Sequence, residues 1–316
     1  MKTIKYILSL TIVGLIAVGC SDNYLTQEPG GSTITQDQYD QMDDKVAGLV
    51  RGIIPNLYSR FSDGHDGFGQ RAIDMYGDLL CGDMAMKTKN YGWFANHELM
   101  ETYTERGSLW GYYYNIIRSS NKAINAIESE GLPELVFDLD TISEVQYTNG
   151  FYYAEALTFR GWAYSKLCNF FVQQDAEDSD LAIPVYTESD TREDTIIGSP
   201  RAIVADLYLR IETDLLDAIQ YFEAYNLVTR SNKMEINADI ARILLAYTYL
   251  NRGDNANALK YAKEAIDKGS PVILQTAEVL TTGFNNVDHA NWIWGQDVTV
   301  ETTTSLASFS GRCVTI

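Results

Sequence analysis

The chain has 316 residues, with 43 Asp+Glu against 24 Lys+Arg and a formal net charge of −19. That acidity excludes sequence-independent nucleic-acid binding, which needs clustered cations to displace phosphate counterions. An apolar fraction of 46% with 21% charged residues excludes compositional disorder, and six Pro among 23 Gly exclude collagen-like or low-complexity architecture. Tyr is the commonest aromatic, with 21 copies against 11 Phe. A tyrosine has an apolar ring and a polar tip, so the excess suits half-buried helix seams and ligand-contacting surfaces alike.

Lys2 and Lys5 precede an apolar run from Tyr6 to Val18, too short for a bilayer-spanning helix of about 20 residues. A charged start, a short apolar core and the small residues Ala17-Val18-Gly19 before Cys20 describe a signal peptide over 1–19. A cysteine at that point resembles the lipidation site of a bacterial lipoprotein, although Ala17 stands where Leu is usual. Acylated Cys20 would leave a still more acidic chain, repelled by anionic headgroups, so its anchor would be the lipid and not a basic patch. The remaining Cys81, Cys168 and Cys313 are odd in number and widely spaced. They form neither a disulfide framework nor a metal motif, and Cys168, among apolar positions, is expected to be a small buried hydrophobe.

Residues 20–35, with Pro29-Gly30-Gly31, read as an extended tether, and 36–271 as the helical domain. Thr35 and Gln38 offer a capping box for a helix over Tyr39 to Arg60, followed by a Gly-rich loop from Ser62 to Gln70. Ser108 is positioned to cap a second helix carrying Trp110, Tyr113, Tyr114, Ile117 and Ile124 on one face. Thr148 to Phe171 gives a third. Ser199-Pro200 signals the start of a fourth, with Leu207, Ile211, Leu215 and Ile219 as its stripe. Asn237 opens the clearest unit: a helix to Asn251, a turn at Arg252-Gly253-Asp254 and a helix to Lys268. Leu245, Ala246, Tyr249, Gly253, Ala258, Tyr261 and Ala265 nearly match the tetratricopeptide pattern. One such pair cannot bury its own apolar face, so several are expected in a mostly α, tetratricopeptide-like helical bundle. From 272 the pattern changes. Val272 to Leu274 and Trp292 to Val298 read as short strands, and no helix signal follows in Thr299 to Ile316.

Several segments together resemble the SusD/RagB family of outer-membrane nutrient-binding lipoproteins. They are Cys20; Tyr24-Leu25 with Glu28-Pro29; Tyr113, Asn115-Ile116, Asn121 and Ile124; and Glu155-Ala156-Leu157 with Phe159-Arg160, Ala163-Tyr164 and Phe170-Phe171. Ile183-Pro184 and the Ala241 to Ile266 helical pair complete the set. The resemblance implies a tetratricopeptide-like bundle with an irregular C-terminal half, sitting as a lid on a SusC-like TonB-dependent transporter. It also implies capture of an oligosaccharide, or less often a peptide, without catalysis, and Asp22 is similar to the signal for the cell surface. Family members are far longer, so 272–316 would be only the start of their C-terminal half.

Sugar binding asks for flat rings against pyranose faces and amide, carboxylate or Arg groups for hydroxyls. The loop from Asp83 to Glu101 carries Tyr91, Trp93 and Asn96, the candidate ligand-binding residues, beside Phe94 and His97. The competing reading is that Trp93 and Phe94 cover the bundle. By alternation, Trp294 is expected in the core and Trp292 facing a ligand. Tyr112, Tyr113 and Tyr114 are expected as seam residues or as transporter-facing surface, not as a glycan platform. Asp63 and Asp66 lack the calcium-loop spacing, and His65, His97 and His289 stand in no catalytic motif, so neither a metal nor a cofactor is expected. The rival function is a tetratricopeptide-type interaction scaffold that grips a protein and no sugar.

Overall fold

The computed structural model describes residues 45–58, 69–83, 104–132, 135, 144–190, 197–225, 230, 232–269, 287–288 and 290–295. Seven α-helices and a two-stranded ribbon lie among them. In chain order they are α1 (Lys45–Arg51), a 3-10 turn (Ile54–Leu57), α2 (Gly69–Cys81), α3 (Thr104–Glu130) and α4 (Glu144–Phe171). Then come β1 (Leu181–Pro184), β2 (Arg201–Ile203), α5 (Val204–Ala224), α6 (Ala238–Arg252) and α7 (Asn255–Gly269). Each long helix packs on its neighbours in sequence, α3 on α4, α4 on α5, α5 on α6 and α6 on α7. Such nearest-neighbour stacking of helices is the tetratricopeptide-like arrangement that the sequence pattern predicts.

The centre of the stack is α4. Every residue from Asn149 to Tyr164 is buried, so this stretch of the helix has no solvent face and the helix lacks a clear amphipathic pattern. Glycine makes one of its contacts possible. A Cβ on Gly150 would stand 2.4 Å from the Tyr225 ring, so only hydrogen lets that ring lie against the helix. At the other end of the stack, Asn237 caps α6 by accepting the Ile240 N–H, and Gly253 closes it in the left-handed region at φ 82. The Tyr249 and Tyr261 rings then stack, 5.7 Å apart, across the α6–α7 seam.

Tyrosine fills the other seams. Tyr112 and Tyr113 are buried, with Tyr113 edge-on to Trp162 at 5.8 Å, and Tyr114 packs edge-on to Tyr164. The polar tips are used as well. Tyr114 Oη donates to the Pro184 carbonyl, while Tyr164 Oη donates to the Tyr186 carbonyl and accepts the Tyr186 N–H. Two helices thus hold the end of β1 and the residues after it by their backbone. Cys168 is buried, and burial pushes its thiol up, whereas Cys81 is exposed.

Six expectations require correction. The helix expected over Tyr39 to Arg60 stops at Arg51 and gives way to the 3-10 turn. Pro55, which has no N–H to give, sits in its first turn and keeps the α-helix from continuing. Gly69 and Gln70, assigned to the Gly-rich loop, open α2, a helix that loop reading omitted. Ser108 lies inside α3, not at its cap, and α4 begins four residues before Thr148. Ser199-Pro200 leads into β2, antiparallel to β1, and only then into α5, whose cap position Ile203 contributes no side-chain hydrogen bond. Residues 290–295 form turns and bends instead of a strand. Thr35, Gln38, Val272 to Leu274 and 296–298 lie outside the described residues.

Candidate functional site

Two places in the fold concentrate polar chemistry, and their geometry separates them. The first lies under α4. Arg160, 2% exposed, holds Asp214 of α5 bidentately through Nε and Nη2, both at 2.8 Å. Its Nη1 donates to Asn121 of α3 at 2.8 Å and to Glu188 after β1 at 2.5 Å. Burial alone would pull the guanidinium down, but Asp214 beside it holds it charged. Burial would raise Glu188, yet its own backbone N–H and Arg160 hold it below the usual carboxylate range. Three helices and a loop meet on this one fork, with the side-chain donors aimed at protein acceptors. The hub is a structural clamp.

Nearby in α4, Glu155 is 1% exposed and accepts the Ile236 N–H at 2.8 Å. Burial, with a smaller contribution from Glu235, raises its carboxyl to about 8. Among the described residues no group of three or more His, Cys, Asp or Glu side chains is placed to hold a metal ion. Asp63 and Asp66 lie outside the described residues.

The second place is an open groove of about 720 Å³ on the outer face of the last helical pair. Its floor comes from Ile243, Ala246, Tyr247 and Leu250 of α6 and from Leu259, Ala262 and Ile266 of α7. Tyr247, Leu250, Leu259 and Ile266 are each more than half exposed. Ala290, Trp292 and Ile293 complete its lining. Arg230 Nη1 donates to the Ile293 carbonyl at 2.6 Å, Lys233 Nζ to the Asp288 carbonyl at 3.1 Å, and the Gly295 N–H to the Lys233 carbonyl at 3.1 Å. Trp294 faces inward, edge-on to Trp162 at 5.7 Å, and its Nε1 donates to the Met234 carbonyl. Trp292 forms part of the groove wall. Trp294 thus packs toward the core as expected, and Trp292 lines the groove, with no strand joining them. Burial draws the Arg230 guanidinium down, and Asp239 and Glu235 oppose that.

Sequence reading missed the groove. A signal was present: α6 carries Ile240, Leu245 and Tyr249 on its core side and Ile243, Tyr247 and Leu250 on the other, more apolar residues than one packed face uses. The candidate ligand residues Tyr91, Trp93 and Asn96 and the lipidation residue Cys20 lie outside the described residues. The helices that bracket the candidate loop are described. α2 ends at Cys81 and α3 starts at Thr104, and Tyr113 Oη donates to Gln70 Oε1 at 3.2 Å between them. No helix among the described residues is long and apolar enough to cross a membrane.

The comparisons with known proteins converge. A family model described as starch-binding, associating with outer membrane, matches residues 35–245. No curated protein matches the chain. Among solved structures, a SusD-like carbohydrate-binding protein from Bacteroides vulgatus is 20% identical with a TM-score of 0.65, over 81% of this chain and 51% of its own. A laminarin-binding SusD-like protein is 20% identical with a TM-score of 0.55, over 78% and 49%. A structure with a xylogluco-oligosaccharide is 21% identical with a TM-score of 0.53, over 78% and 45%. This chain spans about half the length of the solved structures it matches. Identities this low speak for a shared helical fold, and the family model, which covers more than half of the sequence, settles membership: the chain belongs to the SusD/RagB family.

Proposed function

We propose that this protein captures an oligosaccharide at the outer membrane and delivers it to a SusC-like TonB-dependent transporter. The match to a starch-binding, outer-membrane-associated family over residues 35–245 carries the reading. Laminarin and xylogluco-oligosaccharide, named for two proteins of the same fold, point to glucans as the first ligands to try. Lipidation of Cys20 supplies the anchor, facing the cell exterior. Tyr91, Trp93 and Asn96 supply the contact, two flat rings against sugar faces and an amide for hydroxyls. Recognition of this kind uses binding alone and no catalytic group.

Affinity electrophoresis through gels containing laminarin, xyloglucan or starch tests the site. The wild-type chain is retarded by at least one glucan, and Trp93→Ala loses that retardation while keeping the wild-type circular dichroism and melting curve. Retardation of Trp93→Ala equal to wild type overturns the assignment of the loop.

A further inference from the structure

Residues 232–237, which lead into α6, are held from two sides. On one side Glu155 of α4, 1% exposed, accepts the Ile236 N–H at 2.8 Å. Glu235 beside it is also buried and meets Arg51 of α1 at 3.9 Å. On the other side the Met234 carbonyl accepts Trp294 Nε1 at 3.0 Å, and the Lys233 carbonyl accepts the Gly295 N–H at 3.1 Å. The Trp294 ring packs edge-on to Phe159 and Trp162, on the same helix as Glu155. Two irregular stretches, 232–237 and 290–295, are therefore pinned to each other and to one face of α4. Their turns and bends carry no helix or strand ladder, whereas α4 is packed between α3, α5 and α6. Such stretches are the parts of a fold that open at least cost.

A carboxyl enclosed at this joint ionises only at the expense of its hydration, and opening the stretch that covers it restores the water. Two charges act on Glu155: the Glu235 carboxylate, which opposes ionisation, and the Arg51 guanidinium, which favours it. The charged groups of the other elements against α4 are engaged elsewhere. Glu128 of α3 accepts Tyr153 Oη at 3.0 Å, Asp214 of α5 is taken by Arg160, and Arg242 of α6 is held by Asp239 at 2.8 Å. β1 carries no charged residue. Burial raises the enclosed carboxyl to about 8, and once water reaches it the ordinary value near 4.5 returns. The closed form is thus fully favoured below about pH 4.5, loses ground as the pH rises and loses no more above 8. Within that window the opening equilibrium grows about tenfold per pH unit.

We propose that Glu155 is a pH-sensitive latch: its protonated form keeps 232–237 and 290–295 closed on α4, and its ionisation opens the two stretches together while the helices stay packed. Amide hydrogen exchange of the full chain, read by mass spectrometry from pH 5 to 9 and corrected for the intrinsic rate at each pH, tests this. In the wild type, peptides carrying the Ile236 and Gly295 amides should lose protection in step, about tenfold per pH unit up to 8 and no further beyond it. Peptides from the buried stretch of α3 between Ile116 and Ile124 should stay more protected at every pH. In Glu155→Gln the protection of both stretches should be flat with pH. Protection that is independent of pH in the wild type, or that falls as steeply in Glu155→Gln, overturns the proposal. Protection of the two stretches equal to that of α3 also overturns it, because they would then open only when the whole chain unfolds. The wild-type profile alone decides the last point and the pH window.

Discussion

Replacing Glu155 by Gln should make this protein more stable at alkaline pH and leave it nearly unchanged in acid. The side chain is fully enclosed in α4, and the loss of hydration drives its carboxyl from an ordinary value near 4.5 to about 8. The nearby Glu235 carboxylate adds to the rise, while the Ile236 N–H and Arg51 act against it. A carboxyl raised on folding binds its proton more tightly in the native state. Its full contribution is therefore present below about pH 4.5, falls away between 4.5 and 8, and stays lost above that. A shift of this size corresponds to roughly 4 to 5 kcal/mol of native stability at pH 9, and to about 3 kcal/mol at pH 7. Glutamine keeps an oxygen for the Ile236 N–H and never ionises, so the variant escapes the loss. Guanidinium unfolding of both proteins from pH 4.5 to 9, compared as a difference, isolates this one group from all other titrations. The difference should rise with pH and level off above 8. A flat difference, or a variant less stable than wild type at pH 9, would refute the assignment of a neutral buried acid.

Two further predictions test the packing. Arg160→Met leaves Asp214, 1% exposed, with only Arg210 at 3.2 Å, and should cost about 3 to 5 kcal/mol in chemical denaturation; adding Asp214→Leu should recover most of it. Gly150→Ala should destabilise by about 1 to 3 kcal/mol despite the better helix propensity of Ala, because its methyl meets the Tyr225 ring; in a Tyr225→Leu background the cost should shrink, a coupling read by a double-mutant cycle.

What sequence reading recovered follows from which signals are local. The α6–α7 pair is legible because its cap, its left-handed Gly253 and its small-residue seam all lie within 33 residues that have to fold as one unit. The tyrosine excess is explained by geometry that sequence only suggests: the rings fill helix seams and their hydroxyls tie down the end of β1 and the residues after it. The β1–β2 ribbon was invisible, because a three-residue strand has too little period to detect and takes its partner from 20 residues away. Ser199-Pro200 then signalled a helix four residues too soon. Arg160 and Glu155 were visible only as matches to a family pattern, since the identity of a buried charge's partners is a tertiary fact. The groove escaped because α6 is apolar on both faces, and a sequence pattern does not say which of two apolar faces is covered.

The central claim is that this chain binds glycan. Isothermal titration of the wild-type protein with laminari-, xylogluco- and malto-oligosaccharides tests it most directly. Saturable one-site binding of at least one of them is predicted, and the absence of heat or competition with every one, from a protein that melts cooperatively, would contradict it.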